Sequence, residues 1–281
     1  MANSEVLIFG VGQITVLLIK SLIFSGHKVI CVTDNYFGQI DGLSDDNLEV
    51  LTYNDILQCK YSVDAVIFSW NDHYKLLRND NAIAKWLQSR MFESKRSFFL
   101  SSASVYEDSM TAHSEFCTNI ENNEKLLLEK SLSEIFLKKN AVHTNLRISN
   151  VYGADIDYGF IGSLFYSIKH ENTVGIYPNL NTTRDYIHVD DVISAIETLI
   201  KIDTGKVCIN ISTGIGTTIS QVLDIFANKG YKFENRKEIT LTSKSKLISI
   251  LDCSALANLM PWAPSTLATT IDKLIPTVRH F

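Results

Sequence analysis

Short apolar runs alternate with longer stretches of helical periodicity along the first half of the chain. The first run, Glu5–Phe9, is almost wholly apolar and ends at a glycine, which is typical of a strand buried on both faces of a parallel sheet. Two later runs end at or near aspartates, at Asp34 and Asp55. The pattern predicts strands at 5–9, 29–32, 49–52, 65–68 and 97–100, and helices at 14–24, 82–90 and 122–138.

Strand and helix alternate in this way through about residue 150, which predicts βαβ units and a doubly wound parallel sheet covered on both faces. Beyond that point, helical stretches mix with short strands. We therefore predict an α/β fold in two parts, with residues 1–150 forming the sheet domain and 151–281 a smaller, mixed α/β region. Segments near 184–200 are expected to return to the first sheet.

Composition excludes several classes of protein. The chain has 281 residues, a formal net charge of −5 and a pI near 5.8, so no broad basic surface is expected for nucleic acid or an anionic membrane. The five cysteines lie far apart without metal-like or disulfide-like spacing, which indicates a reducing compartment. No apolar run reaches the roughly 18 residues of a membrane span, and the first residues do not resemble a secretory signal. We expect a cytoplasmic protein.

A glycine motif joins the first predicted strand to the first predicted helix. Gly10-Val-Gly12-Gln13-Ile14-Thr15 matches GxGxxG except at its third glycine. Gly10 permits the tight turn, Gly12 lets a pyrophosphate approach the backbone, and Gln13 and Ile14 begin a helix whose amides attract anions. The third position governs helix–strand packing, so Thr15 is expected to loosen that packing without removing the phosphate site. Glycine pairs at strand ends are also common in turns, so the motif alone is a weak signal.

Asp34 strengthens the interpretation of the glycine motif as a dinucleotide site. It ends the second strand, where a carboxylate accepts hydrogen bonds from the adenine ribose and repels a 2′-phosphate. Asn35 follows without a nearby arginine, so NAD is favoured over NADP as the cofactor. Asp55 and Ile56 follow the third strand, where they could contact the adenine, although an aspartate there can equally cap a turn or helix. The first part of the chain is thus predicted to be an NAD-binding Rossmann domain.

The chain resembles the NAD-dependent epimerase/dehydratase family of the extended short-chain dehydrogenase/reductase superfamily, whose members act on nucleotide sugars. Beside the glycine motif and Asp34, the resemblance rests on VDAVI (63–67), SSASVY (101–106), LRISNVYG (146–153), RDYIHVDD (184–191), NISTG (210–214) and WAP (262–264). The RDYIHVDD segment is the most specific. The resemblance implies NAD as cofactor, a nucleotide-sugar substrate bound mainly by residues 151–281, and hydride transfer at a sugar ring carbon in surface polysaccharide synthesis.

The resemblance also implies roles for residues around the reacting centre. Ser102 corresponds to the active-site serine or threonine that hydrogen-bonds the reacting sugar oxygen, with Ala103 and Tyr106 also near the substrate. A strand-end serine that caps a turn is the alternative. Lys125 corresponds to the lysine of a YxxxK motif, which contacts the nicotinamide ribose and lowers the pKa of the tyrosine. A solvated helix lysine is the alternative.

Two further residues match the family positions near the substrate diphosphate, Asn150 and Arg184. The planar fork of an arginine suits paired contacts with phosphate. Arg184 could instead be purely structural and pair with Asp185 or Asp190.

The tyrosine of the YxxxK motif is missing. Residues i and i+4 of a helix share a face, so the tyrosine should stand four residues before Lys125, and Glu121 occupies that position. Its loss removes a general acid/base worth typically about 10²–10⁴-fold in rate. Three hypotheses stay open: Glu121 is a substitute catalytic base; Tyr106, His113 or Tyr158 supplies the proton; or catalysis is lost and the chain is an NAD(H)-binding sensor or scaffold.

Other features of the sequence bear on ligands and partners. No His/Asp/Glu spacing resembles a ligand set, so no metal site is expected. Lys244 and Lys246 stand before Asp252, where many relatives carry an arginine, and are weaker candidates for phosphate contact. Relatives commonly form homodimers through the helices corresponding to 82–90 and 122–138, although packing against the sheet explains the same apolar residues equally well.

Overall fold

A computed structural model of the chain describes residues 4–34, 40, 43, 45–70, 82–117, 123–139, 141–170, 174–176, 179–231, 233, 236–238 and 247–278. The strands are β1 (Glu5–Phe9), β2 (Lys28–Val32), β3 (Leu48–Leu51), β4 (Tyr61–Phe68), β5 (Phe92–Ser102), β6 (His143–Ile148), β7 (Asn150–Tyr152), β8 (Val174–Ile176), β9 (Thr183–His188), β10 (Cys208–Ile211), β11 (Gly216–Thr218), β12 (Arg236–Glu238) and β13 (Ile248–Ser249). The helices are α1 (Gln13–Phe24), α2 (Tyr53–Ile56), α3 (Ala82–Gln88), α4 (Glu124–Leu137), α5 (Gly159–His170), α6 (Val189–Leu199), α7 (Ile219–Ala227), α8 (Ser254–Ala257) and α9 (Leu267–Val278).

Seven strands form a central parallel sheet in the order β10-β6-β5-β4-β1-β2-β3. Strand β1 pairs with β2 on one side and with β4 on the other, so the strand order reverses at this point. In doubly wound folds, such a reversal opens a crevice at the carboxyl ends of the strands, where ligands bind. The predicted Rossmann-type α/β sheet is confirmed, together with a smaller mixed sheet.

Several aromatic side chains pack together within one core cluster against this sheet. Phe9 of β1 stacks on Phe68 of β4 with ring centroids 5.2 Å apart, and Phe136 of α4 meets Phe68 edge-on at 6.0 Å. Trp86 of α3 and Phe92 of β5 complete the cluster, with ring centroids 4.8 Å apart. Each buried ring removes a large apolar area from water, so this cluster fixes α3 and α4 against the sheet.

The chain divides into two compact units. Unit 1 comprises residues 1–105, 121–147 and 195–209, and unit 2 comprises 106–120, 148–194 and 210–281. In unit 2, β9 pairs with β7, β11 and β13, while β8 pairs with β12. A separate hydrophobic core of this unit includes Tyr152, Leu164, Phe226 and Ile271.

This division corrects the predicted domain organisation in two places. Residues 106–120 belong to unit 2, although they precede position 150. The segment that returns to unit 1 is 195–209, since β10 adds to the central sheet at its far edge. Of the segment 184–200, residues 195–200 lie in unit 1, whereas β9 pairs with strands of the smaller sheet.

Candidate active site

The carboxyl ends of three neighbouring strands of unit 1 lie level with one another. The register aligns Phe9 of β1 with Val32 of β2 and Phe68 of β4. Just beyond these ends, the amide of Gly10 donates to the Val32 carbonyl at 3.0 Å, and the amide of Ser69 donates to the Phe9 carbonyl at 2.8 Å. The loops that follow these strands therefore start at one edge of the sheet.

The glycine turn has the backbone geometry that a phosphate site needs. Gly10 has a φ of +84°, a left-handed conformation that favours glycine. Gly12 is the N-cap of α1, and Gln13 and Ile14 are its first helical residues. The first turn carries no acidic side chain, so the partial positive charge of the helix terminus is not cancelled locally. This donor set fits the pyrophosphate of a dinucleotide.

Thr15 stabilises the glycine turn. Its buried hydroxyl oxygen accepts a hydrogen bond from the Gly12 amide at 2.8 Å, and the hydroxyl lies within hydrogen-bond distance of the Gly12 and Gly10 carbonyls, at 3.0 and 3.3 Å. These bonds stabilise the turn itself, while the expected loosening of helix–strand packing stays a prediction. The side chain adds a hydrogen bond that glycine cannot make.

Asp34 stands at the end of β2 with an exposed side chain, where a ribose contact was predicted. Its Oδ1 accepts a hydrogen bond from the amide of Tyr53 at 3.0 Å, which orients the carboxylate. A fixed negative charge at this position fits an adenosine with free ribose hydroxyls and opposes a 2′-phosphate. Asn35 lies outside the described residues.

Asp55 and Ile56 serve the local fold of α2. Oδ2 of Asp55 accepts hydrogen bonds from the Thr52 amide at 3.0 Å and from the Thr52 hydroxyl at 2.7 Å, and these bonds lower the pKa of Asp55. Together they form a capping box. Ile56 is fully buried, and its amide donates to the Thr52 carbonyl. A helix cap was the alternative role that the sequence left open for Asp55. The predicted contact of Asp55 and Ile56 with the adenine stays a prediction.

Ser102, the last residue of β5, also caps a turn. Its Oγ accepts a hydrogen bond from the Ser104 amide at 3.1 Å, and the buried Ala103 lies inside this turn. A hydroxyl that accepts one hydrogen bond can still donate its proton. The structural role and the predicted contact with a sugar oxygen are therefore compatible.

Helix α4 presents Lys125 in its first turn. The N-cap is Asn123, whose Oδ1 accepts from the Leu126 amide at 3.1 Å and whose Nδ2 donates to the Ser104 carbonyl at 3.2 Å. Asn123 thus ties the start of α4 to the turn after Ser102. Glu121 lies outside the described residues. The described helix begins at Glu124, and the role expected of Glu121 stays a prediction.

A buried ion pair, which the sequence analysis missed, fixes the middle of α4. Arg147 of β6 donates from Nη2 to Glu129 Oε2 at 2.7 Å and from Nε to Oε1 at 3.1 Å. The Ser101 hydroxyl donates to the same Oε1 at 2.6 Å. Both charged side chains are about 95% buried. A glutamate and an arginine within the apolar stretches LLLEK and NLRIS were the available signal, since buried charges need partners.

In unit 2, a buried carboxylate organises the surroundings of Arg184 and Asn150. Asp185 is fully buried and accepts hydrogen bonds from the Thr213 hydroxyl at 2.6 Å and the Gly214 amide at 3.0 Å. Burial raises the pKa of Asp185, while these hydrogen bonds oppose that shift. Asn150 Nδ2 donates to the Asp185 carbonyl at 3.1 Å.

The Arg184 guanidinium bonds to two backbone carbonyls near the start of β9. Its Nη1 donates to the Thr183 carbonyl at 2.8 Å and to the Leu247 carbonyl at 3.2 Å. Burial acts to raise the pKa of Asp108, but hydrogen bonds from the backbone amides of Leu247 and Ile248, together with the nearby Arg184 guanidinium, lower it. The diphosphate contacts expected of Arg184 and Asn150 stay predictions. Lys244 and Lys246 lie outside the described residues.

Tyr106 lies inside unit 2. Its side chain is fully buried, its hydroxyl donates to Asn210 Oδ1 at 2.8 Å, and its ring stacks on the buried His113 with centroids 4.7 Å apart. The hydroxyl and the ring of Tyr106 are thus both engaged within the core of unit 2, and the expected substrate contact stays a prediction.

The described residues contain no group of three or more His, Cys, Asp or Glu side chains placed to hold a metal ion. Of the helices in the described ranges, none combines the length and the apolar character needed to cross a bilayer.

The sequence matches the model of the NAD dependent epimerase/dehydratase family over residues 6–212. It is also similar to dTDP-4-dehydro-6-deoxyglucose reductase from Escherichia coli, with 25% identity in an alignment of length 165 that covers 55% of this chain and 51% of that protein. The alignment therefore spans about half the length of this relative.

Several solved structures share this fold, and their structural match covers nearly the whole chain. UDP-glucuronic acid 4-epimerase from Bacillus cereus, in complex with a fluorinated UDP-sugar and NAD, is similar with a TM-score of 0.83, 17% identity and coverage of 98% of this chain and 99% of that one. The dTDP-glucose 4,6-dehydratase from Streptomyces venezuelae, with NAD bound, is similar with a TM-score of 0.80 and 15% identity. The match covers 98% of this chain and 97% of that one. At sequence identities of 15–17%, this structural similarity establishes a shared fold alone.

Proposed function

Because the chain belongs to the NAD dependent epimerase/dehydratase family, we propose that it is an enzyme that epimerises, dehydrates or reduces a nucleotide sugar at a ring carbon. The observation that carries the proposal is the set of groups held by unit 1: the glycine turn before α1, Asp34, Ser102 and Lys125. A cytoplasmic role in surface polysaccharide synthesis is part of this proposal.

NAD is the cofactor of this family, and when bound it supplies the hydride acceptor and donor. In this chain, the Gly10–Gly12 turn and the start of α1 would hold the pyrophosphate, and Asp34 would hold the adenine ribose. Lys125 would contact the nicotinamide ribose. The chain's own residues would bind the cofactor and the sugar, orient them toward each other, and transfer one proton to or from the reacting sugar.

Ser102 has the chemistry to stabilise the reacting sugar oxygen. Its hydroxyl can donate a hydrogen bond to an oxygen on which negative charge develops, and its position is fixed by the Ser104 amide. In unit 2, Arg184 and Asn150 are the proposed contacts to the diphosphate. Relatives named above bind UDP- and dTDP-sugars, so we propose a nucleoside diphosphate sugar as the substrate class.

A panel of UDP-, GDP-, dTDP- and CDP-sugars, incubated with purified protein and NAD or NADH, tests this function. We expect turnover of at least one sugar, detected as a new sugar product by NMR. Ser102→Ala should lower the rate by about 10²-fold or more if the hydroxyl stabilises charge in the transition state. Failure to turn over any sugar in the panel would contradict the proposal.

The glutamate at position 121 favours a second function, that of an NAD(H)-binding protein without catalysis. Two substitutions separate the candidates. If Glu121→Gln abolishes a measurable activity, the glutamate is the working base and the second function fails. If the natural protein is inactive and Glu121→Tyr creates activity, the natural chain is a binding protein.

A further inference from the structure

Lys125 occupies an electrostatically unfavourable position. It is the second residue of α4, and the positive end of the helix macrodipole lies at this turn. Two groups oppose the repulsion. Glu124 carries a carboxylate in the same turn, and Nζ of Lys125 lies 5.4 Å from the centroid of the Trp70 ring, within the range of a cation–π interaction.

Trp70 is well placed to act on the cofactor edge of unit 1. It follows directly after Ser69, whose amide is bonded to the carbonyl of Phe9, the residue before the glycine turn. Strands β1 and β4 are neighbours at the reversal of the strand order. The ring is half-buried and packs against the aromatic core, which restricts its orientation.

The backbone of α4 is already held by other contacts. Asn123 fixes its start to Ser104, and Glu129, one turn after Lys125, is bonded to Arg147 and Ser101. These contacts fix the backbone of α4, and the Trp70 ring adds a contact at the far end of the long Lys125 side chain. Ordering a lysine side chain costs rotamer entropy, and a rigid aromatic face lowers that cost at binding.

We propose that Trp70 is a positioning residue, whose indole face holds the Lys125 ammonium at the dinucleotide edge and thereby strengthens NAD(H) binding through Lys125. The contact with Lys125 stands by itself, whereas its effect on NAD(H) rests on the proposed function. The sequence around Trp70 gave no indication of this role, because the contact joins residues 55 positions apart.

NMR of protein with isotope-labelled lysine tests the contact in the absence of cofactor. The ε-methylene protons of Lys125, assigned with Lys125→Met, should show an upfield ring-current shift. Trp70→Leu should abolish the shift, and Trp70→Phe should keep part of it. Trp262→Phe, a tryptophan change in unit 2, is the control and should leave the shift unchanged. An unshifted Lys125 signal in the natural protein would overturn the proposed contact.

Calorimetry with NADH tests the consequence. Trp70→Leu should weaken binding by about 2- to 5-fold, which is the size of a cation–π interaction of moderate strength, and Trp70→Phe should weaken it less. In a Lys125→Met background, Trp70→Leu should have no further effect, because Trp70 acts through Lys125. Equal weakening in both backgrounds would overturn the positioning role.

The NMR and calorimetry experiments distinguish a failure of the Trp70–Lys125 contact from a failure of the proposed function. If the natural protein does not bind NADH at all, the proposed function fails, and the positioning role fails with it. The ring-current shift then still decides the contact between Trp70 and Lys125. Thermal unfolding of each variant shows whether the fold is retained.

Discussion

The buried pair of Glu129 and Arg147 shows how strongly a single side chain can matter in this fold. Removing one partner leaves a charge that is buried without compensation, which typically costs about 3–5 kcal/mol. We predict this loss in the free energy of unfolding for Glu129→Ala, measured by urea denaturation. The double variant Glu129→Leu/Arg147→Met should recover most of it, because two apolar side chains of similar volume bury without a charge.

An exposed ion pair is the matched control. Lys95 bonds to Asp64 at 2.6 Å, with the Lys95 side chain 72% exposed. Lys95→Met should change the free energy of unfolding by about 1 kcal/mol or less. If Glu129→Ala costs no more than this control, the buried pair does not hold α4 as described.

His143 should make the stability of the chain depend on pH. Burial lowers the pKa of His143 from 6.5 to about 4, although Asn145 at 3.1 Å opposes the shift. Between these values the unfolded chain binds a proton that the folded chain does not. The contribution is therefore fully present above pH 6.5 and is lost as the pH falls toward 4, by up to about 3 kcal/mol.

Urea denaturation between pH 4 and pH 7 measures this dependence. His143→Gln should reduce the slope of the unfolding free energy against pH in this window, whatever its effect on the absolute value. His188, whose pKa is also lowered by burial, should account for part of the slope that remains. A His143→Gln variant with an unchanged slope would contradict the assignment.

The start of α1 depends on a hydrogen bond that the glycine motif does not contain. We predict that Thr15→Gly, which restores the third glycine, destabilises the protein by about 1–2 kcal/mol. The substitution removes the bond to the Gly12 amide and adds the entropy cost of a helical glycine. Thr15→Ser keeps the hydroxyl and should cost less. Chemical unfolding of the two variants measures the difference, and a Thr15→Gly protein as stable as the natural one would refute it.

The sequence predicted elements with local signals far better than contacts between distant residues. Strand β1 and the turn at Gly10 follow from one apolar run and one motif, and α4 was placed within two residues of its start. Glu121 lies outside the described residues, so its proposed role as a substitute base stays a prediction. Asp55 carried two interpretations that sequence alone cannot separate, because a ligand contact and a cap use the same residue type.

Unit 1 includes a segment that lies after position 150 in the sequence, residues 195–209. The edge strand β10 lies beside β6, where the Asn145 amide donates to the Val207 carbonyl at 3.0 Å. Arg96 of β5 donates to the carbonyls of Ile200 and Ile202, at 3.1 and 2.8 Å, at the end of α6. Neither contact was predictable, because the sequence does not reveal which of several short apolar runs returns to the sheet.

A fragment of residues 1–150 should therefore not fold cooperatively, although the sequence suggested that boundary. It lacks 195–209, exposes the edge of β6 and leaves the guanidinium of Arg96 without its acceptors on the carbonyls of 200 and 202. At about 1 kcal/mol for each lost hydrogen bond, plus the apolar area uncovered, the deficit reaches several kcal/mol, against a typical domain stability of about 5–15 kcal/mol. Circular dichroism during heating should show a broad transition for 1–150, and a sharp one once 195–211 is appended through a flexible linker. A sharp transition for 1–150 alone would show that the returning segment is dispensable.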